Sequence, residues 1–374
     1  MRNPNIKNST RRLVGMLQRV WVDALTPKQL LFFSKLVEKL ERKGLQVLFT
    51  TRAYREVLGL REIKGIECIV VGKHGGRDLE SKLIASIERM RELISLVKEW
   101  KPDITISHSS PEASRVSFGL RIPHLCANDS PHSIYVAKLT IPLSQYLFTP
   151  WIIPKRIWTR FGIDSSRIIH YKGLDPVAWL KEFSFSPRVL KELGISGKRD
   201  IIVIRETESF ASYLLDAVKT LAPITDSILP PLLKQFQDNI DIVILPRYDE
   251  QVLYLKEKKL PDNVIIADKV IDATSLLYYS TLLIGGGGTM NIEAALLGKP
   301  VISVYPGKTT MIEQYLIKKK VIFRPRSVKE VIAFSQKILQ EKKLREGIRS
   351  RGLKLFRSME NPVNAILKEI MQRF

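Results

Sequence analysis

Long apolar runs are missing from this chain of 374 residues. No stretch of about 18 apolar residues occurs, so nothing in the sequence reads as a membrane-spanning helix. The nearest candidate, residues 141–153, is broken by Pro142, Gln145 and Pro150. No apolar core follows the basic start, which argues against a secretory signal. Cysteine is scarce too. Cys68 and Cys126 are the only two. That excludes a disulfide framework and a cysteine zinc site, and it predicts a cytosolic location. Both cysteines lie in apolar runs and are expected to be buried thiols. Histidine is limited to His74, His108, His124, His132 and His170. There is no Gly-Lys-Ser/Thr after a glycine loop, so no P-loop. No Gly-x-Gly-x-x-Gly follows an early strand. No Asp-x-Asp pair of a metal-dependent transferase occurs, and no metal or cofactor is expected. Oligomeric state is not readable.

Acidic residues are few beside basic ones. Lys and Arg total 60, Asp and Glu 38, giving a formal net charge of +22. Such an excess speaks to partners and solubility rather than to fold. It draws phosphorylated substrates, anionic membrane surfaces and nucleic acid alike. With no interleaved aromatic-basic motif and no helix-turn-helix pattern, nucleic acid is not expected. The excess is partly local. From Arg324 onward, basic residues outnumber acidic ones by 13 to 5.

Short β-rich runs alternate with amphipathic stretches along most of the chain. Val20-Trp21-Val22, Val47-Leu48-Phe49, Cys68-Ile69-Val70-Val71 and Asp103-Ile104-Thr105-Ile106 read as strands. Residues 28–42 and 79–100 read as helices between them. Strands at 124–126, 146–148 and 167–169 complete a first half. A second half restarts at Ile201-Ile202-Val203-Ile204 and repeats the alternation. Apolar strands separated by helices predict parallel sheets covered on both faces. The predicted architecture is therefore α/β, with two Rossmann-like domains facing across a cleft. Its divisions are a basic flexible extension at 1–18, an α/β domain at 19–172, a linker at 173–198, a second α/β domain at 199–326 and basic helices at 327–374. Met16 stands just before the first strand and is a second candidate start.

Four consecutive glycines, Gly285 to Gly288, join the run Leu282-Leu283-Ile284 to a helix opening at Thr289. Glycine lets the backbone approach a ligand, and the helix N-terminus offers free N–H groups to a phosphate. Glu293 lies about one turn into that helix, where it can accept hydrogen bonds from ribose hydroxyls. In the first half, His74, His108 and His132 follow strand-like runs, with Glu112 and Asp129 nearby. A histidine there could act as base on an acceptor hydroxyl, oriented by a carboxylate.

Gly287-Gly288-Thr289, Glu293 and Gly298-Lys299-Pro300 resemble the nucleotide-sugar segment of the glycosyltransferase-B superfamily. That superfamily includes the non-hydrolysing UDP-N-acetylglucosamine 2-epimerases and the undecaprenyl-linked N-acetylglucosaminyltransferase of peptidoglycan synthesis. Glu313-Gln314 is similar to the transferases' donor-holding element. A wider resemblance, from Val20 onward, is to the mainly archaeal family known as domain of unknown function 354. Lys73-His74-Gly75-Gly76, Leu245-Pro246-Arg247-Tyr248, Ser275 to Tyr279, Gly285 to Met290 and Tyr305-Pro306-Gly307 carry it. The resemblance implies a glycosyltransferase-B-like fold with a nucleotide-diphosphate sugar as substrate. Gly286, Gly287, Gly288, Thr289 and Met290 would hold the diphosphate, and Glu293 the ribose. Gln314, Arg205 and Arg247 would also contact the donor. The first half would hold a phosphorylated or lipid-linked acceptor, with His74, His108, Asp129 and His132 as candidate catalytic groups. An inner-membrane-face location would suit such an acceptor. Related sequences carry histidines after an Asn-Pro-Pro in the first loop. Here that loop reads Thr26-Pro27-Lys28. Epimerase chemistry, with Asp103, Glu112 and Asp129 as candidate carboxylates, and a non-catalytic binding role are the alternatives.

Overall fold

The computed structural model describes residues 17–76, 78–207, 221–236 and 239–374. The expected flexible extension lies almost wholly outside them.

Seven strands form the first sheet: β1 (Arg19–Ala24), β2 (Gln46–Ala53), β3 (Ile69–Lys73), β4 (Ile104–Ser107), β5 (His124–Ala127), β6 (Tyr146–Pro150) and β7 (Ile168–Tyr171). Their order is β3-β2-β1-β4-β5-β6-β7, all parallel. Six strands form the second: β8 (Asp200–Arg205), β9 (Ile240–Leu245), β10 (Val264–Ile266), β11 (Leu282–Gly285), β12 (Val301–Ser303) and β13 (Ile322–Phe323). They run β10-β9-β8-β11-β12-β13, again all parallel. The central strands are buried at nearly every position. This is why they read as continuous β-branched runs rather than alternating ones.

Strand order reverses between β1 and β4 in one sheet and between β8 and β11 in the other. Open parallel sheets bind ligands at the carboxyl ends of such neighbouring strands. In the first domain that edge carries the helix Pro27–Glu41, opened by a Thr26 cap and Pro27. In the second it carries the glycine turn and the helix Thr289–Leu296.

Several sequence expectations needed revision. The helix Arg55–Lys64, which contacts the second domain, was not anticipated. The span 173–198 is more than a connector. Val177, Trp179 and Leu180 are buried in the main core, and the Ser186 amide donates to Ser275 Oγ. Cys126 is buried as expected, whereas Cys68 sits just ahead of β3 and is half-exposed. The basic helices divide. Lys342–Ser358 packs on the second domain, but Pro362–Arg373 returns to the first and lies against Pro27–Glu41. The Glu360 amide donates to Lys172 O at 3.1 Å at that crossing.

Candidate functional site

A cavity of about 700 Å³ opens between the two sheet edges and takes residues from both domains. Its second-domain wall begins with the glycine turn. Gly287 and Gly288 have φ of +95° and +85°, a region that favours glycine. A Cβ on Gly287 would lie 2.7 Å from the Tyr305 ring, so packing also demands glycine there. Gly288 precedes the helix Thr289–Leu296, and its Cα faces open space toward Arg247. Thr289, Met290 and Glu293 line the same wall.

Glu293 is buried, and Thr274 Oγ1 donates to its Oε2 at 2.9 Å. Burial pushes its carboxyl up to about 7, opposed only in part by that hydrogen bond. Arg205 is buried at the end of β8. Its Nη1 donates to Pro246 O at 2.8 Å, and its Nη2 meets Glu56 of the first domain at 2.5 Å. Arg247 Nε donates to Glu206 O at 3.0 Å, and Arg247 lines the cavity.

Two expected donor residues fall elsewhere. Gly286 is packed inward, where a Cβ would lie 2.8 Å from Thr207 Cα. Gln314 is exposed and donates to Thr309 O at 3.1 Å. Neighbours on a helix point about 100° apart, so only Glu313 turns toward the cavity. Glu313 is held by Ser303 and, at 3.2 Å, by Arg324.

The first-domain wall holds His74, His108, Asp129 and His132 together on one side of the cavity. His108 follows β4, and its Nε2 lies 2.8 Å from Asp175 Oδ2. The same oxygen lies 2.7 Å from Lys28 Nζ, which reaches Asp129 at 2.5 Å. Tyr171 donates to the other Asp175 oxygen at 2.5 Å. Burial alone would raise the Asp175 carboxyl, but Lys28 and His108 hold it below the carboxylate range. Burial likewise favours neutral Lys28, yet Asp129 and Asp175 outweigh it and raise its affinity for the proton. His108 and the two aspartates have the spacing of a metal site. The Lys28 ammonium already stands against both carboxylates.

His74 stacks on Tyr54, with ring centroids 4.8 Å apart. Burial first, then Arg52 and Lys82, push its imidazolium down to about 4. His74 is thus neutral at physiological pH. One layer beneath, Asp23 accepts from Arg89 at 2.6 and 3.1 Å and from Thr50 at 2.6 Å. Glu112 lies 3.8 Å from the same arginine.

Sequence reasoning missed Lys28, Asp175 and Arg52. Lys28 had a signal, since it stands where histidine was expected. Asp175 lies in the pattern-breaking segment after β7 and has no local signal.

Two parallel Rossmann-type sheets whose switch points face one cleft define a glycosyltransferase-B-like fold. Within that class the chain belongs to the family described as “Protein of unknown function (DUF354)”, which it matches over residues 18–370. A protein of Methanocaldococcus jannaschii, itself uncharacterized, is 33% identical over 84% of this chain and 90% of its own length. An “Uncharacterized glycosyltransferase” of Methanosarcina mazei is 25% identical over 63% of this chain and 64% of its own. Among solved structures, the UDP-GlcNAc 2-epimerase of Neisseria meningitidis bound to UDP-GlcNAc superposes with a TM-score of 0.73. It covers 95% of this chain and 100% of its own at 17% identity, a likeness of fold. No helix among the described residues is long and apolar enough to cross a membrane.

Proposed function

We propose that this protein is a metal-independent glycosyltransferase. It takes a nucleotide-diphosphate sugar in the cleft and passes the sugar to a phosphorylated or lipid-linked hydroxyl acceptor. One observation carries the reading: the glycine turn and Glu293 face Lys28, His108 and Asp129 across a single cavity, with Asp175 buried behind Lys28 and His108. The Gly287–Thr289 amides and Arg247 would take the diphosphate, and Glu293 the ribose. The N-terminus of Thr289–Leu296 would stabilise the charge that grows on the leaving diphosphate.

His108 supplies the base. With its Nε2–H donating to Asp175, the free lone pair lies on Nδ1. The acceptor oxygen bonds to the sugar carbon as that carbon's bond to the diphosphate oxygen breaks. The acceptor proton passes to Nδ1. Asp175 then stabilises the imidazolium, as a carboxylate does for a catalytic histidine elsewhere.

Calorimetry with a panel of nucleotide sugars, UDP-N-acetylglucosamine among them, tests the donor half. Wild type is expected to bind at least one, and Glu293→Ala to weaken it by about tenfold or more. Binding of none, or an unaffected Glu293→Ala variant, overturns the reading. The similarity to 2-epimerases and the carboxylates beside His108 favour epimerisation as the second reading. Deuterium at C2 of recovered UDP-N-acetylglucosamine after incubation in heavy water would establish it over transfer.

A further inference from the structure

We propose that the first-domain wall carries a second anion subsite, centred on Arg52 and flanked by His74 and Lys82, which takes a phosphate monoester of the acceptor. The inference rests on the transferase reading and names its acceptor class.

Arg52 lies at the end of β2 with its side chain on the cavity. Its Nε donates to Leu25 O at 3.2 Å, and no ion pair engages its terminal nitrogens among the described residues. The neighbouring carboxylates are committed elsewhere. Glu112 lies against Arg89 at 3.8 Å, and Glu56 meets Arg205 at 2.5 Å. A half-buried guanidinium whose terminal nitrogens meet no carboxylate directly is unfavourable, and an entering phosphate would relieve that cost. Burial in fact weakens its hold on the proton, despite the pull of Glu112.

The neighbours suit the same ligand. Lys73-His74-Gly75-Gly76 curls onto the start of the helix Leu79–Trp100. A Cβ on Gly75, where φ is +79°, would sit 2.7 Å from Lys82 Cα. This packing sets His74 and Lys82 side by side on the cavity. His74, neutral and stacked on Tyr54, can donate one hydrogen bond without adding charge.

Position separates this subsite from the donor's diphosphate. That group has the glycine turn and Arg247 on the opposite domain. Arg52 ends β2 and His108 follows β4, with only β1 between them. Two strand spacings set their backbones about 10 Å apart. The acceptor thus carries its phosphate on the β2 side of the hydroxyl that reacts at His108, as a phosphorylated sugar or polyol does. A lipid headgroup could present the same chemistry.

The test is calorimetric titration of glycerol 3-phosphate into the full chain saturated with UDP. One phosphate site is expected to remain open. Arg52→Leu should weaken phosphate by about tenfold or more while UDP affinity stays within about threefold, and Arg52→Lys should fall between. Retained UDP binding shows that each variant is folded. Two results would overturn the proposal: phosphate that competes with UDP for one site, or Arg52→Leu that binds phosphate like wild type. If UDP itself fails to bind, the donor reading falls, and Arg52-dependent phosphate binding still supports the subsite. Arg52-dependent sedimentation with phosphatidic acid vesicles, resistant to glycerol 3-phosphate, assigns it to a lipid headgroup. Displacement by glycerol 3-phosphate assigns it to a soluble ester.

Discussion

Glu293 is a carboxyl group that folding has drawn out of water, and its pKa near 7 makes it a stability sensor. The ordinary value is 4.5. Because the folded state holds the proton more tightly, the stabilising effect is complete below about 4.5 and is lost as pH rises through 7. Glu293→Gln is therefore expected to stabilise the ligand-free protein by about 3 kcal/mol at pH 8. The gain should vanish near pH 4, and urea denaturation at the two pH values measures it. A gain equal at both would show that the carboxyl is not protonated on burial. That Glu293 faces a ligand cavity was readable in its spacing from the glycines. That it is nearly dry was not, because Thr274 and the rest of its surroundings come from other elements.

At the scale of elements, close backbone approach decides which glycines matter. Gly352 lies in the helix Lys342–Ser358, where a Cβ would sit 2.3 Å from the Ala295 carbonyl oxygen. The basic helix thus presses directly on the helix that carries Glu293. Gly352→Ala should cost about 1–3 kcal/mol by overpacking. Gly347, five residues earlier in the same helix, would meet only the flexible end of Arg351 at 3.4 Å. Gly347→Ala should instead gain up to about 1 kcal/mol from helix propensity. Thermal denaturation of the two variants reads both signs, and equal effects would refute the contact. The helices at 28–42 and 79–100 were legible because their apolar positions recur at helical spacing. Gln314 misled because resemblance names a pair of residues while helix geometry turns only one of them inward.

At the scale of the molecule, the chain crosses between domains twice. The second crossing brings Val363, Ile366 and Ile370, all fully buried, against the first domain. Ile366→Ala is expected to cost about 2–5 kcal/mol. Hydrogen exchange in Pro27–Glu41 should quicken with it, although Ile366 is more than 300 residues away in the chain. Unchanged exchange there would show that the last helix does not brace the first domain. The two α/β halves, their parallel strands and the phosphate-friendly turn were legible along the chain, because each depends on neighbours a few residues apart. The ion cluster of Lys28, His108, Asp129 and Asp175 was not. Its members come from the first turn of one helix and from three separate loops, and their altered proton affinities exist only once folding removes the water between them. The same holds for Arg52, whose terminal nitrogens meet no carboxylate among the described residues because folding turns Glu112 to Arg89 and Glu56 to Arg205.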